Sequence, residues 1–111
     1  MNTKPETLAF CAPDLAARVQ EWQDYLQHER KVSRHTLRAY CGDLSHFIAF
    51  LRDHFGKEPS LEDIASAGLR DFRSWMSKKA MQGNGNASRA RSLSGVKNFL
   101  SWLDKNGIMH N

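Results

Sequence analysis

The residues that could perform catalysis or bind a metal are scattered along this chain. Its five histidines and two cysteines do not fall at the spacings of zinc ligands. Glu62 and Asp63 are neighbours on an expected helix, so they point apart and suit a charged first turn better than a paired-carboxylate acid–base site. The segment Gly83-Asn84-Gly85 lacks the third glycine and the Lys-Ser/Thr ending of phosphate-binding loops. We therefore expect no catalytic residue, no metal and no cofactor here.

Positive charge, in contrast, is concentrated in two places. The 111 residues hold 16 Lys and Arg against 12 Asp and Glu, for a net charge of +4. Residues 1–29 contain more acids than bases, whereas residues 30–42 contain four bases and residues 72–103 contain six, with no acid in either stretch. Such stretches are typical of proteins that bind an anionic partner. From charge alone, a solvated basic surface is an equally good interpretation.

The elements that must position these charges are helices. Apolar residues recur three and four apart throughout, and no alternating run predicts a strand, so we expect an all-α protein. An apolar share of 41% suits one compact domain. Ser33 and Asn86 should cap the second and fourth helices, Gly56 should end the second, and a short helical turn should follow Ser60. The four main helices are expected over residues 13–30, 34–54, 66–81 and 87–105.

No segment of the chain has the composition of a membrane span or a secretion signal. No run approaches the roughly 18 to 20 apolar residues of a membrane-spanning helix, and the first ten residues lack the apolar core of a signal peptide. We therefore expect a cytoplasmic protein without membrane contact. In that compartment Cys11 and Cys41 should be free thiols, and Cys41 should be buried because it lies on an apolar helix face.

The second helix carries a basic stripe beside its apolar face. At 100° per residue, Arg34 and Arg38 fall about 80° and 120° from the core residue Leu44. His35 and Thr36 lie in the first turn, where the positive end of the helix dipole favours phosphate. Gly42 lies close to the stripe, where its missing side chain would allow close approach by a partner. The candidate binding residues on this helix are Arg34, His35, Thr36, Arg38 and Ser45.

The fourth helix presents a second polar and basic face. Its residues are short and polar or basic, a surface that could lie against a phosphate backbone or reach base edges. The candidate binding residues on this helix are Ser88, Arg89, Arg91, Ser94 and Lys97. Trp102 is the exception, a large aromatic on a nominally exposed face. Either the third helix or the lead-in covers it, or it contacts a partner.

Three strings in the sequence resemble the core-binding domain of tyrosine recombinases. Residues 22–26 (WQDYL) match its Tyr-Leu helix, and residues 33–51 match its Ser-x-x-Thr-Leu-x-x-Tyr motif with the Asp-Leu-x-x-Phe-x-x-Phe-Leu continuation. Residues 88–103 resemble its closing R-x-LSALR-x-FF-x-[YW]L helix, although residues 95–97 read Gly-Val-Lys where Ala-Leu-Arg is common. Lys97 keeps the charge there but loses bidentate geometry. Among subgroups the chain is most similar to the bacterial Xer recombinases of the XerC type.

The resemblance implies a four-helix SAM-like bundle that clamps a recombination half-site of double-stranded DNA. Its second and fourth helices would approach the major groove, and it would contact other recombinase protomers. The catalytic Arg, Lys, His and Tyr would lie in a second domain that this chain lacks, so the fragment would be no enzyme although its parent is one. Residues 1–12 would form a flexible lead-in, 13–107 the domain and 108–111 the start of a linker.

A different function class is compatible with the same residues. In a helical protein-interaction domain, Trp102 and the acidic first helix would contact a partner protein, and the arginines would be solvated. An enzyme in its own right is the least favoured interpretation, because nothing points to a nucleophile with its base. We expect DNA binding, and we expect the isolated domain to be monomeric.

Overall fold

The structure, a computed structural model, describes residues 11–108 apart from the Leu69 side chain. The described part contains α1 (Pro13–Asp24), α2 (Arg34–Phe55), α3 (Leu61–Ala65), α4 (Leu69–Met81) and α5 (Asn86–Lys105), with a π-helical segment, Tyr25–Glu29, extending α1. It contains no strand, which confirms the all-α prediction. Most of the expected lead-in (1–10) and linker (109–111) lies outside the described residues. No helix within 11–108 is long and apolar enough to cross a membrane.

Local sequence signals fix both ends of α2 where the sequence predicted them. The Ser33 hydroxyl accepts a hydrogen bond from the Thr36 backbone N–H at 3.0 Å, so Ser33 is the N-cap. Gly56 ends the helix in the left-handed conformation, with φ of 73°. The short helical turn after Ser60 is α3, which starts with a capping box between Ser60 and Asp63. The backbone hydrogen bond from Ser60 lowers the pKa of the Asp63 carboxyl below its usual value.

Two helix starts differ from the prediction. Helix α4 starts at Leu69 rather than near residue 66, since the Asp71 carboxylate accepts a hydrogen bond from the Gly68 N–H at 3.1 Å. Helix α5 has Gly85 as its N-cap and includes Asn86. The Asn86 side chain does not cap the backbone; it accepts a hydrogen bond from the Arg89 guanidinium.

The core lies where α1, α2 and α5 meet. Trp22 of α1 is fully buried and packs edge-on against Phe99 of α5, with ring centroids 5.2 Å apart. Its indole N–H donates to the Asn98 side-chain oxygen at 2.9 Å, which satisfies the buried polar atom. Helix α4 joins this core through Trp75, whose ring lies 4.9 Å from that of Phe47. Each fully buried large apolar side chain contributes about 1.5–3 kcal/mol by leaving water.

Trp102 is covered by the protein itself. It is 9% exposed and packs between Tyr25 of the π-helical segment, at 6.3 Å between ring centroids, and Phe99, at 6.2 Å. The sequence predicted that the third helix, the lead-in or a partner would cover Trp102. Tyr25 belongs instead to the first predicted helix. The main support for a protein-interaction domain is therefore lost.

Neither Cys11 nor Cys41 takes part in a disulfide bond. Cys41, which was predicted to be buried, is only half-buried at the edge of the core, whereas Cys11, for which the sequence suggested no role, belongs to the core. Burial raises the pKa of the Cys11 thiol to about 11, with smaller contributions from Glu58 and Asp14. Burial also raises the pKa of Cys41. Cys11 thus anchors the start of the described chain against the bundle.

Candidate nucleic-acid interface

The first turns of α2 and the N-terminal half of α5 form a shallow groove on the surface. We call it the α2/α5 groove and define it by its lining: His35, Thr36, Arg38, Ala39, Tyr40 and Arg91. Four of these residues are binding candidates predicted from the sequence, and they come from both helices. His35, Arg38 and Arg91 are exposed, so the groove presents cationic guanidinium groups and an imidazole to solvent.

The two helices lie close together beside this groove because α5 has a glycine at the crossing. A Cβ atom added to Gly95 would lie 3.1 Å from the Asp43 Cβ and 3.2 Å from the Tyr40 Cα. These separations are tighter than ordinary van der Waals contact, so a larger residue at Gly95 would have to push Asp43 or the Tyr40 backbone aside by a few tenths of an ångström. At Gly42, where the sequence predicts close approach by a binding partner, an added Cβ would have no heavy atom within 4 Å and would face open space.

A buried carboxylate holds one of the groove arginines. The Asp43 Oδ2 lies 3.2 Å from the Arg91 Nη1; the Asp43 side chain is 4% exposed and that of Arg91 is 55% exposed. Burial raises the pKa of the Asp43 carboxyl, and the positive charges of Arg91, Lys79 and His46 oppose that rise. Asp43 therefore holds the Nη1 side of the Arg91 guanidinium, and the exposed remainder of that group is accessible to a ligand.

Three further candidates are exposed on the same two helices but do not line the groove. Arg34 is the first residue of α2, and Ser94 and Lys97 lie on α5. The Ser94 hydroxyl donates to the Ala90 carbonyl of its own helix at 3.2 Å. These side chains are therefore open to solvent but do not belong to the concave part of the surface.

The remaining three candidates are used within the protein. The Ser88 hydroxyl lies 3.4 Å from the Asn84 side-chain oxygen, and the Arg89 guanidinium donates to the Asn84 carbonyl, so both stabilise the turn before α5. Ser45 is 7% exposed, so the structure does not bring it to the surface that the others share. Rotation angles around one helix place Ser45 beside the stripe, but they do not show whether the rest of the fold buries that position.

Two parts of this site were not among the residues predicted from the sequence. Tyr40 lines the groove; a tyrosine can both pack against a core and bind a ligand because its ring is apolar and its hydroxyl is polar. Asp43 was read only as part of a motif. The sequence does contain a sign of its role. Asp43 directly precedes the core residue Leu44 and follows a basic stretch, and a carboxylate that is buried at such a position needs a positively charged partner.

The described residues contain no group of three or more His, Cys, Asp or Glu side chains that could hold a metal ion. The chemistry available in the α2/α5 groove is therefore that of charge and hydrogen bonding. Guanidinium groups bind phosphate or guanine through two parallel hydrogen bonds, and the Thr36 hydroxyl and the His35 imidazole can donate to phosphate oxygens.

Comparison with known proteins gives the family of this chain. Residues 19–107 match the family model described as phage integrase, N-terminal SAM-like domain. The chain is 44% identical to the tyrosine recombinase XerC of Rhodospirillum centenum over 101 residues, which cover 91% of this chain and 30% of that protein. It is 36% identical to XerC of Brucella suis over 110 residues, covering 99% of this chain and 35% of that protein.

The chain thus spans about a third of the length of the curated relatives it matches. No solved structure matches it. The family match covers all five helices from within α1 to the end of α5, including both walls of the α2/α5 groove. By its sequence and its helical architecture, this chain belongs to the family of phage integrase N-terminal SAM-like domains.

Proposed function

We propose that this domain binds one half-site of a recombination sequence in duplex DNA through the α2/α5 groove. The observation that carries the proposal is the convergence of His35, Thr36 and Arg38 of α2 with Arg91 of α5 on one concave surface. The family to which the chain belongs, and relatives called tyrosine recombinases, support the same function.

Two kinds of contact follow from the positions of these residues. His35 and Thr36 lie in the first turn of α2, where backbone N–H groups and the helix dipole favour a phosphate. Arg38 and Arg91 carry planar forks that can bind a guanine edge or a phosphate bidentately. Because Asp43 already holds Arg91 on one side, that guanidinium loses less conformational freedom when DNA binds.

The chemistry of recombination belongs, in this proposal, to the part of the relatives that this chain does not span. Residues 13–107 form the DNA-binding unit, residues 1–12 a lead-in and residues 108–111 the start of a linker to a catalytic domain. The fragment itself is not an enzyme. The whole protein acts in the cytoplasm, together with other recombinase protomers, in a reaction such as the resolution of chromosome dimers, whereas the isolated domain is monomeric.

The test is equilibrium binding of the chain to a duplex with a palindromic recombination site and to a random duplex of equal length. We expect a preference for the recombination site and affinity that falls steeply with salt, because each phosphate contact releases counterions. Arg38→Ala should weaken binding, whereas the matched control Lys105→Ala, at the far end of α5, should not. Equal affinity for both duplexes, or an affinity that does not change with salt, would contradict the proposal.

A further inference from the structure

The outer face of α4 carries a second basic surface that the proposed groove does not include. We call it the α4 stripe; it is lined by Arg70, Arg73, Ser74, Ser77, Lys78 and Met81. The spacing of three, one, three, one and three places these residues along one side of the helix over about 16 Å. The stripe holds three cations and two hydroxyls and no acid.

The fold uses the opposite side of α4 for packing and leaves the stripe open. Trp75 is buried and Phe72 stacks on Phe47, with ring centroids 5.1 Å apart. The helix has one acid, Asp71, and it is engaged elsewhere: it caps Gly68 and lies 3.4 Å from the His54 Nε2. Asp71 does not line the stripe, and its carboxylate is directed towards the Gly68 N–H and His54.

The stripe adjoins a second depression, which lies on the same side of α2 as the α2/α5 groove. This depression lies between α2 and α4 and is lined by His46 and Ala49 of α2 and by Lys78 and Lys79 of α4, among others. His46 and Ala49 fall within about 80° of arc with His35 and Arg38, on the same face of α2. Lys78 lines both this depression and the stripe. Asp53 is the acid in the depression, so this middle part is less positive than either end.

We propose that the α4 stripe is a second binding surface for the DNA phosphate backbone, which extends the contact beyond the base pairs under the α2/α5 groove. This inference rests on the proposed function. Arginine, lysine and serine side chains are those that contact phosphate and sugar without reading sequence. A protein-binding surface would instead have an apolar or aromatic centre, and the stripe has only Met81 at its end, which is 88% exposed.

The experiment compares the salt dependence of binding for the whole chain with that of two double variants. Arg70→Gln with Arg73→Gln removes two charges from the stripe. Lys57→Gln with Lys105→Gln removes two exposed charges from outside both surfaces and is the matched control. Each variant is tested on a long duplex centred on the half-site and on a short duplex confined to it, after circular dichroism has shown that it folds.

On the long duplex, we expect the stripe variant to lower the slope of log affinity against log salt by about 0.9 for each phosphate that the protein no longer neutralises, about 1.8 in all. On the short duplex it should behave as the control does. Phosphate-ethylation interference should show contacts outside the half-site with the unmodified chain, and these should be absent with the stripe variant.

Two other outcomes are distinguishable. If the unmodified chain binds DNA but the stripe variant matches the control on the long duplex, the stripe inference is overturned and the groove proposal stands. In that case the α4 stripe would contact an acidic protein or solvent and not DNA. If the unmodified chain binds neither duplex, the proposed function fails and the stripe inference fails with it.

Discussion

The Arg91 guanidinium of α5 lies 3.2 Å from the buried Asp43 carboxylate of α2. One member of this pair is almost fully enclosed, and the other keeps more than half of its side chain in solvent at the edge of the groove. An ion pair between exposed groups contributes little, whereas burial of one partner limits the positions that the other can take. Asp43 therefore acts as a positioning residue for Arg91, and it connects the helix pair to the proposed binding surface.

Replacing Asp43 by Asn tests this role, because the two possible effects have opposite signs. Removal of a negative charge near DNA would by itself strengthen binding. If Asp43 positions Arg91, we expect Asp43→Asn to weaken binding to the half-site by roughly fivefold, or about 1 kcal/mol. The measurement is a double-mutant cycle with Arg91→Ala in DNA-binding titrations. Stronger binding, or strictly additive effects of the two changes, would show that Asp43 does not position Arg91.

The two helical glycines of this surface should respond in opposite ways to alanine. Gly95→Ala places a methyl group 3.1–3.2 Å from Asp43 and from the Tyr40 backbone, so we expect destabilisation by about 1–3 kcal/mol. Gly42→Ala meets no atom within 4 Å and should stabilise α2 by about 0.5–1 kcal/mol, because alanine is the better helix former. Urea denaturation of both variants checks the pair. Similar stability changes at the two positions would contradict the close crossing at Gly95.

Asn98 should matter for stability rather than for DNA contact. Its side-chain oxygen accepts the hydrogen bond from the fully buried Trp22 indole. Asn98→Ala leaves that N–H without a partner, at a cost of about 1–3 kcal/mol in the free energy of unfolding. In a Trp22→Phe background, which removes the donor, the same change should cost clearly less. An equal cost in both backgrounds would show that the hydrogen bond is not what Asn98 contributes.

The buried Cys11 thiol should make stability depend on pH in the alkaline range. Burial raises its pKa from 9.0 to about 11, so the folded state holds the proton more tightly than the unfolded chain does. This contribution is complete below pH 9 and is lost as the pH rises from 9 towards 11; at most it is about 2–3 kcal/mol. Chemical denaturation between pH 8 and 10.5 should show a smaller decline for Cys11→Ala than for the unmodified chain. Parallel declines would mean that Cys11 is not responsible.

Much of the helical fold could be read from local sequence because its signals are local. Ser33 caps α2 through a bond to Thr36, and Gly56 ends it through its own backbone conformation, each within a few residues. Apolar spacing identified the α2 face around Leu44, because a helix of 3.6 residues per turn must bury a stripe of that period. The starts of α4 and α5 were harder, since several residues there could make the cap and Asp71 supplied one of them.

The candidate site was predicted only to the level of which helices carry it. Arg38 and Arg91 are 53 positions apart, and their meeting at one groove depends on how α2 crosses α5. Ser45 and Trp102 lie on predicted polar faces, yet both are buried, because an angle on one helix does not say which neighbouring element covers that direction.

The sequence by itself determined an all-α domain, two acid-free basic stretches and the family. Only the tertiary structure decided which basic residues share a surface, that α2 and α5 cross closely at Gly95, and that Asp43 holds Arg91. The physical reason is the distance along the chain over which each interaction acts. Capping, helix periodicity and charge act within a few residues of the chain, whereas a groove between helices exists only after distant side chains have packed in one geometry.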